Sequence, residues 1–115
     1  MAKKGTSDGG AFRFRVSDSL DVPLRGRMLR LKVVDGTPAM ADLKPGASLR
    51  LTGPAGGERL VRILDHAVTS GRATQQRLDA TRELDVVVAD DEAEAAGPVG
   101  IGWFASGPVK ERSDR

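Results

Sequence analysis

Apolar and polar residues alternate along several short stretches in the first half of the chain. Phe12, Phe14 and Val16 are separated by single arginines, and the same alternation recurs around Leu29 and around Leu49. Because successive side chains of a β-strand point to opposite sides, a period of two predicts a strand with one buried and one exposed face. The pattern therefore predicts an all-β fold whose short strands each bury one face.

Six strands are predicted, at residues 11–17, 27–34, 48–52, 58–64, 84–89 and 99–104. In the fourth, the sequence leaves open whether the face of Arg59 or the face of Leu60 is buried. In the sixth, Val99, Ile101 and Trp103 are predicted to share a face. We expect the strands to form a closed, mainly antiparallel barrel of six or seven strands with Greek-key-like connections.

Glycines mark the predicted turns between these strands. Gly26 opens the second strand, Gly36 closes it as part of an Asp-Gly pair, and Gly46 follows Pro45 before the third strand. Glycine suits such positions because it accepts a positive φ at no steric cost, and Pro45 fixes φ at the first corner of its turn. Residues 53–57 form a further glycine-rich loop, which lacks the Gly-Lys-Ser/Thr ending of a phosphate-binding P-loop.

The remaining connections carry weaker signals. Residues 18–25 are predicted to be a loop whose apolar side chains could cover the mouth of the barrel. Residues 37–43 could form a short helical turn or a strand at the rim. Within residues 65–83, the stretch 73–78 has some helical character but no apolar stripe long enough for a stable helix. Residues 90–96 are acidic and predict a solvated loop or one helical turn.

The chain has 115 residues and no cysteine, which bounds both its size and its chemistry. This length is enough for one small domain, predicted at residues 11–106 between a disordered tail at 1–10 and a charged tail at 107–115. Without cysteine there is no disulfide and no thiolate metal site. No apolar run approaches the ~20 residues that span a bilayer, and the N-terminus lacks a signal-peptide core. We therefore expect a cytoplasmic protein that does not use a membrane.

Charge is distributed unevenly, although the formal net charge is only +2. Residues 1–62 hold 12 Lys and Arg against 6 Asp and Glu, whereas residues 63–115 hold 6 against 10. A basic first half and an acidic second half can orient a partner of mixed charge. Such a distribution differs from the strongly basic footprint of a dedicated nucleic-acid binder.

No constellation typical of an enzyme is present. His66 is the only histidine, and a surface or rim position is favoured over a general base because no recognised motif surrounds it. The acidic residues at 90–94 could hold a cation through oxygen ligands, but they lack the alternating spacing and central glycine of an EF-hand. The sequence therefore predicts a non-catalytic protein with no cofactor and no metal site.

The best candidate for a binding surface is a basic patch on the first two strands. Outward-pointing residues of adjacent strands lie side by side, and arginine can hold phosphate or carboxylate groups through two hydrogen bonds at once. The alternative is an ordinary solvated barrel face. The predicted patch consists of Arg13, Arg15, Arg25, Arg27, Arg30 and Lys32.

The order of the strand ends and turns resembles the second domain of elongation factor Tu and related translation-factor β-barrels. Asp18, Arg25-Gly26, Gly36 and Pro45-Gly46 fall in the order seen in that domain. The resemblance covers roughly residues 11–106 and is specific up to about residue 51, with a longer connector than usual between Gly36 and Gly46. It implies an elongation factor Tu domain 2-like barrel. In that family the barrel docks against a partner domain and helps hold the aminoacylated end of tRNA, near the positions of Asp18, Arg25 and Gly26.

Two functions are therefore expected, in order of preference. The first is a non-catalytic β-barrel adaptor that binds another protein, which agrees with the two-signed charge and with the use of the resembling domain as a docking unit. The second is an RNA-binding accessory module related to translation, which agrees with the basic first half. The patch contains no aromatic residue for base stacking, so readout of single-stranded bases is not expected.

Overall fold

The computed structural model describes residues 11–67 and 73–109. The tail predicted at residues 1–10 lies outside this range, as does the part of the tail predicted at 107–115 that follows residue 109; Gly107 belongs to the last strand. Two short α-helices, α1 (Gln75–Thr81) and α2 (Ala93–Ala96), and a 3-10 helix at Met40–Asp42 connect the strands. The six strands of the described chain are β1 (Phe12–Val22), β2 (Gly26–Gly36), β3 (Ser48–Thr52), β4 (Glu58–His66), β5 (Glu83–Ala89) and β6 (Phe104–Gly107).

All strand pairs are antiparallel, and the sheet closes on itself into a barrel-like ring in the order β1-β2-β5-β4-β3-β6. The prediction of an all-β, mainly antiparallel fold is confirmed. Strands β3, β4 and β5 are consecutive neighbours, and β6 returns to lie beside β3. This spatial order is that of a Greek key. It also places β6 between β1 and β3, which determines the surface described below.

The core confirms the predicted alternation in the first three strands. Phe12, Phe14 and Val16 of β1 are buried, as are both leucines of β3. The rings of Phe12 and Phe14 meet edge to face with their centroids 5.4 Å apart. Each fully buried side chain of this size stabilises the fold by roughly 1.5–3 kcal/mol through removal from water. The inward face of β4, which the sequence left open, is the one that contains Arg59, together with Val61 and Ile63.

The predicted loop at residues 18–25 is wrong, because β1 continues to Val22. Its second half pairs with the beginning of β2, from Asp18 opposite Arg30 to Val22 opposite Gly26. A register shift between Val16 and Asp18 lets the strand bend and continue. Leu20 is consequently exposed and does not cover the mouth of the ring. Gly26 opens β2 as predicted, at φ 144°, where a Cβ atom would overlap a backbone carbonyl oxygen of β5.

The predicted strand at residues 99–104 is also wrong, because β6 begins only at Phe104. Val99 is buried whereas Ile101 is 63% exposed, so the two do not share a face. A turn at residues 101–102, with Gly102 at φ 93°, breaks the alternation. The segment nevertheless runs beside β1, since the Val16 N–H donates to the Trp103 carbonyl over 2.8 Å.

Two connections contain helices that the sequence indicated only weakly. Helix α1 forms where no stable helix was predicted, because Thr74 caps its N-terminus, Arg82 ends it in the left-handed conformation, and Leu78 is buried against the core. The helical-turn alternative is confirmed for residues 37–43 as the 3-10 helix. None of the helices in the described part of the chain is long and apolar enough to cross a bilayer.

Candidate functional site

The outward arginines and lysine of β1 and β2 lie where the alternation places them. Arg13, Arg15, Arg30 and Lys32 are all exposed, and Arg15 stands directly opposite Lys32 on the neighbouring strand. Arg25 and Arg27 lie at the other end of the hairpin, at its tip and at the start of β2. The six predicted residues therefore occupy one hairpin, but at two separate ends of it.

Three of these six side chains are engaged by other parts of the ring. Arg30 forms two hydrogen bonds with the carboxylate of Asp85, at 3.1 and 3.2 Å, and Arg25 lies 3.5 Å from the carboxylate of Asp65. The hydrogen bond and the negative charge of Asp85 raise the pKa of Arg30 above the ordinary value of an arginine. Arg27 donates a 3.1 Å hydrogen bond to a serine hydroxyl of β1. These charges are partly satisfied within the molecule and contribute less to an external surface.

Arg13, Arg15 and Lys32 are different, since none of them forms an ion pair with another described residue. The guanidinium of Arg13 lies 4.1 Å from the centroid of the Phe104 ring on β6. Such a contact is attractive and restricts the arginine, so less conformational freedom is lost when the group binds an anion. No carboxylate of the described chain neutralises any of these three charges.

Ring closure adds two arginines that sequence reasoning missed. Ser106 of β6 pairs with Arg13 of β1 on one side and with Arg50 of β3 on the other, so these three residues form one row across three strands. Next along the row, Arg50 pairs with Leu60 of β4, and Arg62 follows two residues later on the same outward face. The outward position of Arg50 could be read from its place between Leu49 and Leu51. Its proximity to Arg13 could not, because that depends on β6 lying between their strands.

We call the resulting surface the basic face. Its members lie on β2, β1, β3 and β4, with Ser106 of β6 between Arg13 and Arg50, and neighbouring strands lie about 4.8 Å apart. Its cations all point outward and form no ion pair with any described residue. Guanidinium and ammonium groups can hold carboxylate or phosphate oxygens. The basic face consists of Arg13, Arg15, Lys32, Arg50 and Arg62.

A second group of charges, Arg59 and Asp90, is buried, in contrast to the exposed cations of the basic face. Arg59 points inward, and its Nη1 donates to Asp90 over 2.6 Å, with the two side chains only 4% and 3% exposed. The other carboxylate oxygen of Asp90 accepts from the Val99 N–H at 3.1 Å, and the Arg59 guanidinium lies 5.0 Å from the Trp103 ring. Of the two alternatives predicted for residues 90–96, the helical turn is confirmed as α2, whereas Asp90 is not solvated, because its carboxylate closes a buried ion pair. This group fixes the segment 90–103 to the end of the ring.

His66 forms a hydrogen bond that connects two segments of the described chain. Its Nε2 lies 2.7 Å from the carbonyl oxygen of Leu43, and because a carbonyl only accepts, Nε2 carries the hydrogen. This bond ties the end of β4 to the segment that follows the 3-10 helix.

Among residues 11–67 and 73–109, no three His, Asp or Glu side chains come together as a group that could hold a metal ion.

Comparison of the chain with protein-family models, with curated proteins and with solved structures finds no match in any of the three. The features that bear on function are therefore the chemical groups on the surface of the ring.

Proposed function

We propose that this protein is a non-catalytic interaction module that uses the basic face to bind an acidic segment of another protein. The observation that carries the proposal is the set of five exposed cations on β1, β2, β3 and β4, none of them paired with a carboxylate of the described chain. Maintaining unpaired surface charges costs the fold little, because water and salt screen their repulsion. The same charges attract and orient an anionic partner.

The composition of the surface supports a protein as the partner. Leu60 is 55% exposed and stands directly opposite Arg50, so an apolar side chain lies among the cations. Asp35, opposite Arg13, adds a negative charge at the edge of the basic face. Interfaces between proteins are rich in arginine and combine apolar with charged groups, whereas phosphate backbones offer no apolar contact. A partner segment with alternating acidic and apolar residues fits this surface.

An RNA partner is the second candidate, and the row from Arg13 to Arg50 favours it. Two arginines that flank a serine hydroxyl can hold successive phosphates of a nucleic-acid backbone. The only aromatic ring on this surface, Phe104, already packs against the Arg13 guanidinium and contributes little to base stacking. RNA binding would thus rest on phosphate contacts and fall steeply with added salt.

We also propose that the ring is of the translation-factor type seen in the second domain of elongation factor Tu. The support is the order of turns at Gly26, Gly36 and Gly46, each of which has a positive φ. In those factors the barrel is a docking unit, which agrees with an interaction module that has no chemistry of its own.

The test is capture of partners from native lysate, with and without nuclease, on the unmodified protein and on two variants matched in charge. Arg15→Gln with Arg50→Gln removes two unpaired cations of the basic face. Arg25→Gln with Arg30→Gln removes two cations that already have carboxylate partners. We expect an acidic protein to be retained by the unmodified protein and by the second variant, and lost by the first.

Two results would contradict the proposal. Capture that is equal for the two variants would show that the basic face is not the binding surface. Capture that disappears on nuclease treatment would replace the protein partner by RNA.

A further inference from the structure

A cleft of about 330 Å³ lies at the end of the ring, between the loop that joins β3 to β4 and helix α2. Gly53, Pro54 and Ala55 of the loop line one side, and Ala96 of the helix lines the other. Trp103 also lines the cleft, and most of the exposed wall is carbon. A concave site of this size, at the lower end of the range for ligand pockets, can hold one large side chain.

The indole of Trp103 is held in place from two sides. A Cβ atom built on Gly53 would lie only 3.0 Å from Cζ2 of the indole, so the backbone of the loop packs closely against the ring. The Arg59 guanidinium lies 5.0 Å from the ring, and its charge is balanced by Asp90 at 2.6 Å. Trp103 is therefore closely packed along the wall of the cleft, and Arg59, which also lines it, presents little net charge to a ligand because Asp90 balances it.

Besides Arg59, whose charge is balanced by Asp90, the charged groups that line the cleft are two glutamates. Glu58 at the start of β4 and Glu92 before α2 both line it, and both are exposed. Neither glutamate forms an ion pair with another residue of the described chain. The cleft thus combines an apolar, aromatic wall with two unpaired carboxylates, and a negatively charged ligand would be repelled.

We propose that this cleft binds a lysine or arginine side chain presented by a protein partner. The methylene stem of such a side chain packs on carbon while its charged head stays near water and carboxylates. Pro54, Ala96 and the exposed part of Trp103 supply the apolar contact, and Glu58 and Glu92 supply the charge complement. The cleft and the basic face share no residue, so a result that contradicts binding at one of them leaves the proposal for the other unaffected.

Trp103 itself provides the measurement. It is the only tryptophan in the chain, which has no tyrosine, so the intrinsic fluorescence of the protein reports this cleft directly. The probes are the Nα-acetyl methylamides of lysine, arginine and norleucine, titrated at constant ionic strength. We expect a saturable fluorescence change with lysine or arginine at roughly fivefold lower concentration than with norleucine, because two exposed ion pairs add a modest contribution.

Two variants make the result specific. Glu58→Gln with Glu92→Gln should remove the preference for the basic probes, and both positions are exposed, so folding is retained. Asp35→Asn removes an exposed carboxylate outside the cleft and should preserve the preference. The Arg15→Gln, Arg50→Gln protein should also bind the basic probes normally, which separates this proposal from the one for the basic face.

The proposal is overturned by any of three results. Equal binding of norleucine and lysine would show an apolar cleft without charge selection. A basic preference that survives loss of both glutamates would place the binding elsewhere. The absence of a saturable change with every probe would show that the cleft does not bind a side chain of this class.

Discussion

Arg50 and Arg59 belong to adjacent cross-strand residue pairs of β3 and β4 and have opposite environments. We call each such pair of opposite residues a rung. Arg50 pairs with Leu60, and both point outward; Leu51 pairs with Arg59, and both are buried. Each rung therefore combines one arginine with one leucine, but only the outward rung follows the rule that arginine faces water. The inward rung places a guanidinium where an apolar residue is expected.

The difference between the two arginines is the presence of a buried acidic partner. A charge removed from water is tolerated only where a counter-charge and hydrogen bonds replace the water. Asp90 supplies both to Arg59 from a position 31 residues away in sequence. Arg50 needs no such partner because it stays hydrated, and for the same reason its charge remains available for binding. Burial thus separates an arginine that holds the fold together from one that can recognise a partner.

The largest effect is expected from removing the counter-charge at the inward rung. Asp90→Ala should lower the free energy of unfolding by roughly 3–5 kcal/mol, because the Arg59 guanidinium would remain buried without compensation. The Val99 N–H would lose its acceptor in the same variant. Urea unfolding followed by circular dichroism measures the change.

The matched control for Asp90→Ala is the double variant Arg59→Met, Asp90→Leu. Replacing both charges by apolar residues should recover most of the stability, since no unpaired charge is left. A loss below about 1 kcal/mol for Asp90→Ala alone would mean that Arg59 reaches water, and that the two rungs do not differ in the way described.

A loss of similar size is expected at the buried face of β1. Phe14→Ala should cost roughly 3–5 kcal/mol, because it opens a cavity next to Phe12 in a core where Phe14 is fully buried. Denaturant unfolding gives the value. A cost near that of a surface substitution would show that the inward and outward faces of β1 have been exchanged.

Intermediate losses of stability are expected from removing the two cation–π contacts, with the larger loss at the buried arginine. Trp103→Leu should cost roughly 1–2 kcal/mol, because the buried Arg59 loses an aromatic partner while leucine keeps some apolar contact. Phe104→Leu removes the corresponding contact with the exposed Arg13 and should cost roughly 0.5–1 kcal/mol. Thermal unfolding of the two variants compares them directly, and a reversed order would contradict the distinction between buried and exposed arginines.

The smallest effect on stability is expected at exposed arginines, both Arg50 of the outward rung and Arg15 of β1. Arg15→Gln and Arg50→Gln should each change the free energy of unfolding by no more than about 0.5 kcal/mol, because both side chains are exposed and form no ion pair in the described chain. The same substitutions are expected to abolish capture of the acidic partner. Chemical unfolding and partner capture on one protein sample test both halves of this prediction, and a large loss of stability would refute it.

Parts of the candidate site could be predicted and parts could not. The outward positions of Arg13, Arg15 and Lys32 followed from alternation with buried neighbours, and the structure places them there. Arg30 was placed equally well, but its pairing with Asp85 depends on β5 lying beside β2. Arg50 was missed for a similar reason, since its row with Arg13 exists only because β6 separates their strands.

The sequence by itself located β1 to β5, although not the full length of β1, and for β1 to β3 it also determined which face is buried, because a period of two is a local property that each strand carries within a few residues. The tertiary structure decided which strands are neighbours, where the alternation is interrupted by a turn, and which charges find partners. Arg59 shows most clearly what the sequence could not determine. From the alternation alone, Arg59 and Leu60 were equally plausible inward residues, and only the position of Asp90 beside Arg59 explains why the arginine is the buried one. The contact that makes burial of Arg59 tolerable forms only when the segment 90–103 packs over the end of the closed ring.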